Sequence, residues 1–332
     1  MPLNRILVAV DFRQPSLAAA RWAADQFKAA TTLEMVHVSP VAEMPRFLGT
    51  FNSGDGGDEP SLAGRIQGLR GFVDTLPASN ATAQVRVGHE VTELRRRATT
   101  MEADLVILGR SPASTANGRT LYRLIRGLDV PALVIAGEPG GAPRRILVAV
   151  DDAPISASVM GWSARLANHF GARLTLLHVL NAKAMLPSVD SGHEYDVELA
   201  SAHRVTINRT HNWLRELYRK VTGEPFNGHT TVAIGSAGPV IREHSIGIGA
   251  DMVIVGRNGR HAEGPTEIGT TTKLVLRGVR KPIVVVPPRK APSLSGGPQG
   301  IALHQRPLVP DPARISIAEM SVFGPGEPQP VA

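Results

Sequence analysis

The sequence predicts two tandem α/β units, each a five-stranded parallel sheet with helices wound on both faces. Three observations carry that expectation. The chain is a duplication: Arg5-Ile6-Leu7-Val8-Ala9-Val10-Asp11 recurs letter for letter as Arg145-Ile146-Leu147-Val148-Ala149-Val150-Asp151, 140 residues further on. Collinear matches follow, among them Trp22 with Trp162, His37 with His178, and Ala103-Asp104-Leu105-Val106-Ile107-Leu108-Gly109-Arg110 with Ala250-Asp251-Met252-Val253-Ile254-Val255-Gly256-Arg257. A period this long is a whole domain and not a solenoid unit. Each half also carries five short apolar runs, the form of strands buried on both faces. Segments of helical period alternate with those runs, which is the pattern of a doubly wound, Rossmann-like sheet with ligands at the carboxyl ends of its strands.

The elements follow in order within each half. After the first strand, Ser16 to Lys28 reads as a helix with Leu17, Ala20, Ala24 and Phe27 on one stripe, and Ser16 and Ser156 are candidate N-caps beside Pro15 and Pro154. The second strand is Leu33 to Val38, or Leu174 to Leu180. A polar excursion leads to a helix over about 61–76 in the first half, weakened by Gly64, Gly68 and Gly71, and over about 194–220 in the second. The third strand is Gln84 to Val87, or Thr230 to Ile234; the fifth is Ala132 to Ala136, or Ile283 to Val286. Gly137-Glu138-Pro139-Gly140-Gly141-Ala142-Pro143 reads as a linker, so the units span 1–137 and 144–287. Residues 288–332, rich in Pro and Gly with little periodicity, read as a disordered tail.

Composition excludes several classes of function. With 332 residues, 42% of them hydrophobic, the chain can build two cores. It has no cysteine, hence no disulfide framework, thiolate metal site or thiol nucleophile, in keeping with a cytoplasmic protein. No apolar run approaches the length of a membrane helix, and the strand-like run right after Met1 leaves no room for a signal peptide. The net charge of +7 comes from scattered Lys and Arg, and the run Arg95-Arg96-Arg97 reads as a solvated helix face. Few aromatics are available to stack bases, so neither a nucleic acid nor a membrane is an expected partner. No Ser-His-Asp set, His-Glu-x-x-His helix or carboxylate cluster of metal-ligand spacing is present, and a catalytic role is not expected.

The chemistry concentrates at one loop. The strand Asp251-Met252-Val253-Ile254-Val255 runs into Gly256-Arg257-Asn258-Gly259, and Gly269-Thr270 follows ahead of a helical segment ending at Arg277-Gly278. Two glycines three apart let the backbone turn and approach a ligand closely. A helix starting near Gly269 aims free N–H groups back at the loop and forms an anion seat suited to phosphate. The spacing is neither a Walker A motif nor Gly-x-Gly-x-x-Gly.

The repeated Ile-Leu-Val-Ala-Val-Asp opening, the Leu-His-Val of the second strand, Ala-Asp-Met-Val-Ile-Val-Gly-Arg and the Gly-x2-Gly-x9-Gly-Thr loop together resemble a tandem universal stress protein, over about 3–137 and 144–287. The resemblance implies an adenine nucleotide alpha-hydrolase-like fold in each unit. It also implies an intramolecular pseudo-dimer joined through the fifth strands, with further dimerisation and an unidentified protein partner left open. The implied ligand is ATP, with ADP or AMP as alternatives and Mg2+ admitted beside the nucleotide. On this resemblance Asp151 lies near ribose and adenine, the backbone of Val179 meets the adenine edge, and Gly256 and Gly259 shape the loop. Gly269 and Thr270 hold phosphates, and Arg260 neutralises their charge. Arg257 and His261 are weaker candidates, and His178 reads as a packed strand histidine. A nucleotide-free scaffold and a slow ATPase or self-phosphorylating enzyme are the alternatives.

The first half departs from the motif. Pro112 stands where the second loop glycine is expected, the loop is four residues shorter, and counting back from the shared Arg-Gly puts Gly118 and Arg119 at the places of Gly269 and Thr270. Proline has no N–H to offer a phosphate. The sequence therefore predicts one competent site per chain, in the second half.

Overall fold

A computed structural model describes residues 3–40, 61–78, 80–111, 117–137, 139–181, 195–259 and 267–288. The first half contributes β1 (Arg5–Ala9), α1 (Gln14–Gln26), β2 (Thr32–Ser39), α2 (Leu62–Asp74), β3 (Ala81–Val87), α3 (Glu90–Thr100), β4 (Leu105–Arg110), α4 (Asn117–Gly127) and β5 (Ala132–Ala136). The second repeats the series as β6 (Arg145–Ala149), α5 (Ser156–Phe170), β7 (Arg173–Leu180), α6 (Tyr195–Thr222), β8 (His229–Ile234), α7 (Ala237–Gly247), β9 (Met252–Gly256), α8 (Thr270–Gly278) and β10 (Ile283–Val286). Apart from Pro288, the expected tail lies outside the described residues.

The two sheets merge into one. Strand order is β3-β2-β1-β4-β5-β10-β9-β6-β7-β8, parallel within each half, with β5 and β10 antiparallel at the centre. Their register sets Ile283 opposite Val134 and Val285 opposite Ala132. Antiparallel pairing sends the carboxyl ends of the two sets of strands to opposite edges of the sheet. The strands are apolar throughout because both faces are covered. Ile6, Val8, Leu133, Ile135, Ile146, Val148, Val284 and Val286 pack under α1, α2, α5 and α6. Their neighbours Leu7, Val134, Leu147, Ile283 and Val285 pack under α3, α4, α7 and α8. Each layer is continuous across both halves.

Several local expectations shift. Ser61 caps α2, accepting from the Gly64 N–H at 3.1 Å. Ser16 and Ser156 are not N-caps: α1 starts two residues ahead of Ser16 with Arg13 at its N-cap, and Ser156 is the first helical residue of α5. Both hydroxyls are buried and serve the neighbouring aspartates instead. The arginine run is not a uniformly solvated face. Arg97 reaches inward and forks onto the buried Glu34 carboxylate of β2, which raises the Arg97 pKa through that hydrogen bond, while Arg96 stays exposed. The repeated aspartate of the Ala-Asp motif is structural. Asp104 Oδ2 accepts the N–H groups of Asn4 and Arg5 at 2.9 and 3.0 Å, and Asp251 Oδ2 those of Arg144 and Arg145 at 3.0 and 2.9 Å.

Beside the central strand pair, α1 meets α5 across the halves. Phe27 stacks on His169 with centroids 4.8 Å apart and meets Phe170 edge-on at 5.8 Å. The His169 Nε2–H donates to Gln26 O at 3.1 Å, and Arg165 reaches Asp104 at 3.2 Å. Burial lowers the His169 pKa, with the bond to Gln26 opposing it less strongly. A histidine whose folded pKa is depressed adds stability above its unfolded value of about 6.5, and that stability is lost as the pH falls through the folded value. The thermal midpoint should therefore fall as the pH is lowered from 7 to 5, and His169→Gln should reduce that slope. Identical slopes for the two proteins in melting curves would remove His169 from the account.

Candidate functional site

The strand order reverses between β6 and β9, and the candidate residues gather at the carboxyl ends of that pair. Asp151 follows β6 by two residues. Its Oδ1 accepts from the Ala153 N–H at 3.2 Å and lies 2.9 Å from Ser156 Oγ, so the turn into α5 fixes the carboxylate. Its Oδ2 faces Gly259: a Cβ on that glycine would lie 2.7 Å from Oδ2. Gly256, at the end of β9, is close-packed as well, since a Cβ there would come within 3.1 Å of Ile155.

The loop returns on itself. The Gly269 N–H donates to Arg257 O at 2.8 Å, and a Cβ on Gly269 would sit 3.5 Å from the Gly259 nitrogen. Gly269 is the N-cap of α8, as its position before the threonines predicts. Thr272 Oγ1 donates to Gly256 O at 2.6 Å and ties the first helical turn to the strand end. The N–H groups of Thr270, Thr271 and Thr272 have no acceptor among the described residues. Three free amides at a helix start, beside a glycine loop, can hold an anion.

Val179 lies on the next strand. The Val150 N–H donates to Leu177 O and the Gly235 N–H to Leu180 O, both at 2.9 Å. Alternation along β7 then turns the backbone groups of Val179 toward the β6 side, past the last bond to that strand. His178 is the packed histidine expected. Its Nδ1–H donates to Val150 O at 2.8 Å, its ring meets Trp213 edge-on, and burial lowers its pKa. Asp151, Gly256, Gly259, Gly269 and Thr270 are thus brought to one place, with Val179 along the adjoining strand end. Arg260 and His261 lie outside the described residues. No group of three His, Asp or Glu able to hold a metal occurs among the described residues.

Arg257 does not face this crevice. Its guanidinium is buried, and Nη1 donates to Leu128 O at 2.6 Å, Ile125 O at 3.2 Å and Arg126 O at 3.3 Å, the carbonyls at the end of α4 in the other half. Arg110 does the converse, its guanidinium donating to Leu276 O and, at 3.0 Å, to Val279 O at the end of α8. Burial pushes both guanidinium pKa values down, though such a group stays charged. A partly buried cation at a helix C-terminus can contribute up to about 2 kcal/mol. The sequence already held the signal, a Gly-Arg pair repeated at two strand ends, but the target carbonyls belong to the opposite half. The serine five residues after each aspartate was also visible, though assigned to the wrong partner.

The corresponding crevice of the first half keeps the aspartate turn but differs beside it. Asp11 Oδ1 accepts from Ser16 Oγ at 2.5 Å and the Arg13 N–H at 3.0 Å. A cavity of about 360 Å³ lies at the ends of β2 and β3, with Val38, Gly88, His89, Glu90, Thr120 and Arg123 in its wall. Desolvation and then the charge of Asp11 raise the Glu90 pKa. The series of elements sets Ala237, the first residue of α7, where Glu90 opens α3. Helix α4 begins at Asn117, so Gly118 falls inside it and is not an N-cap like Gly269. Pro112 lies outside the described residues.

The family model of the "Universal stress protein family" matches twice, over residues 2–136 and 143–287. The chain belongs to the universal stress protein family. Solved structures bear out the fold at low identity. A universal stress protein from Archaeoglobus fulgidus DSM 4304 superposes with a TM-score of 0.57 at 16% identity, covering 86% of this chain and 97% of that one. A functionally unknown protein from Pseudomonas aeruginosa PAO1 gives 0.53 at 15%, covering 86% and 92%. No curated protein sequence matches. As a tandem universal stress protein, the chain carries both units in one continuous sheet. No helix among the described residues is long and apolar enough to cross a membrane.

The close approach at Gly109 gives a test of this packing. A Cβ there would sit 2.5 Å from Pro15 O, a backbone atom. Gly109→Ala should therefore cost about 1–3 kcal/mol of folding free energy. Gly71→Ala, on α2 with nothing within 4 Å of its added Cβ, should stabilise by about 0.5–1 kcal/mol. Urea denaturation of both variants checks the contrast, and a neutral Gly109→Ala would show that α1 does not press on β4 as described.

Proposed function

We propose that the chain is a nucleotide-responsive module that binds one adenine nucleotide, ATP or its di- or monophosphate, in the second half. The observation that carries this reading is the first turn of α8, three amides without acceptors among the described residues, at the strand reversal and beside Gly259. Membership of the universal stress protein family supports it. The phosphates would be held by the amides of Thr270 to Thr272 and the Thr270 hydroxyl, with Arg260 as their counter-charge. The carboxylate of Asp151, already oriented by Ala153 and Ser156, has Oδ2 left to accept a sugar hydroxyl. Val179 would offer backbone groups to the base edge. Mg2+ would arrive with the phosphates, which are its usual ligands alongside water.

The acidic pair Asp11 and Glu90 makes the first-half crevice a poor host for a polyanion, which favours one nucleotide per chain. In this reading the first half serves as pairing partner, and the module acts by changing its contacts with another protein, not by turnover.

Calorimetric titration of the full chain with ATP tests the reading. The expected result is a single site with a stoichiometry near one, lost in Gly259→Val, whose side chain would enter the place of the Asp151 carboxylate. Asp151→Ala should weaken binding about tenfold, on the scale of a lost charge-assisted hydrogen bond. Two nucleotides per chain, or binding indifferent to both substitutions, would overturn the assignment. A flat trace would favour the nucleotide-free scaffold.

A further inference from the structure

The arginines at the carboxyl ends of β4 and β9 stand in an arrangement that is reciprocal. Arg110 leaves the loop of the first-half crevice and binds the carbonyls of Leu276 and Val279, at the C-terminal end of α8. The N-terminal end of that helix is the candidate phosphate seat. Arg257 leaves the loop of the second-half crevice and binds the carbonyls of Ile125, Arg126 and Leu128, at the C-terminal end of α4. The other end of α4 carries Thr120 and Arg123 to the first-half cavity. Each crevice therefore owns a helix whose far end is gripped by the loop of the other crevice.

The sheet makes this reach possible. Because β5 and β10 run antiparallel, the carboxyl end of β4 lies where α8 finishes and the chain turns into β10. Neither grip is a surface ornament. Arg257 is nearly inaccessible, and its backbone is fixed as well, the N–H to Val286 O at 2.7 Å and the carbonyl to the Gly269 N–H at 2.8 Å. That second bond makes Arg257 the mechanical join between the phosphate loop and the opposite half. The neighbours of the gripped ends are equally tight. A Cβ on Gly127 would lie 2.6 Å from Arg95 Cδ, and one on Gly278 3.1 Å from Arg242 Cδ, so an arginine stem packs against each gripped helix end.

We propose that Arg110 and Arg257 couple the two crevices, with Arg110 acting as a positioning residue from the first half that sets α8 for phosphate in the second. The claim rests on the reading of the first turn of α8 as the phosphate seat. The helix is held to the sheet by the buried Val275 and Leu276, and holding its C-terminal carbonyls as well constrains the direction of its N-terminal amides. In the other direction, a phosphate that settles the loop also settles Arg257, and through it the end of α4. Coupling between two ligand sites is reciprocal by thermodynamic necessity.

The test uses the full chain, Arg110→Gln and Arg110→Lys, with hydrogen–deuterium exchange and ATP calorimetry. Without nucleotide, Arg110→Gln should speed exchange of the amides of residues 273–276 about tenfold and leave residues 146–148 of β6 unchanged. ATP should bind this variant about five- to tenfold more weakly, within the usual range of coupling between sites. Arg110→Lys, which keeps the charge but not the fork, should fall between it and the parent protein. ATP added to the parent protein should slow exchange of the Leu128 amide. Unchanged exchange over 273–276 in Arg110→Gln overturns the proposal, and so does normal ATP affinity despite faster exchange. If ATP fails to bind the parent protein, the nucleotide reading falls, while the exchange comparison still decides whether Arg110 holds α8. Should Arg110→Gln fail to fold, Arg110→Lys carries the same comparison.

Discussion

The antiparallel pairing of β5 with β10 is the constraint on which the rest of the molecule depends. A parallel junction would have placed both crevices on one edge of the sheet and sent each arginine away from the opposite helix. The antiparallel one puts the crevices at opposite edges and the two helix ends within reach. It also makes the two apolar layers continuous, so that Phe27 and Phe170, from different halves, belong to one core. The pairing is short, three residue pairs, and could not hold the halves alone. Its partners are side chains on both faces: the aromatic cluster with Arg165 and Asp104 on one, and the paired guanidiniums on the other.

The same geometry explains how polar groups come to be buried here. A guanidinium in an apolar interior costs free energy unless its donors are met. The last carbonyls of a helix are an unusual resource, since they lack intrahelical partners and carry the negative end of the dipole. Each half supplies carbonyl acceptors for the guanidinium Nη groups of the other. Glu34 and Arg97 reach the same end by a partly buried ion pair.

Much of this was legible in the sequence. The duplication showed two units, the alternation of strands with helices a parallel sheet in each, and strand composition burial on both faces. The glycine spacing, the aspartate after the first strand and the helix start at Gly269 led to residues that do meet in space. What could not be read shares one cause, a side-chain partner that local pattern does not point to. Ser16 and Ser156 looked like caps because Pro and Ser precede helices, yet the aspartate five residues back takes their hydroxyls. Arg97 looked solvated because its run is basic, but Glu34 lies 63 residues away on β2. Arg257 looked like a phosphate ligand because it sits in the loop, whereas its side chain answers carbonyls more than 120 residues earlier. Local pattern places a backbone well; it does not tell a long side chain which way to turn.

The linker between the halves has a wider consequence. Gly140 O accepts the Trp22 indole N–H, so the connecting chain is tied to α1 of the first half. Two copies of one gene product that associate must carry every substitution twice, once on each side of the axis. Covalent fusion ends that symmetry. It fixes which copy stands opposite which, and supplies the partner at a local concentration that dilution does not alter. A glutamate can then enter one crevice at position 90 while position 237 keeps alanine, and neither change is mirrored. In a single chain the two sites can differ from one another while each still depends on its neighbour to stand upright.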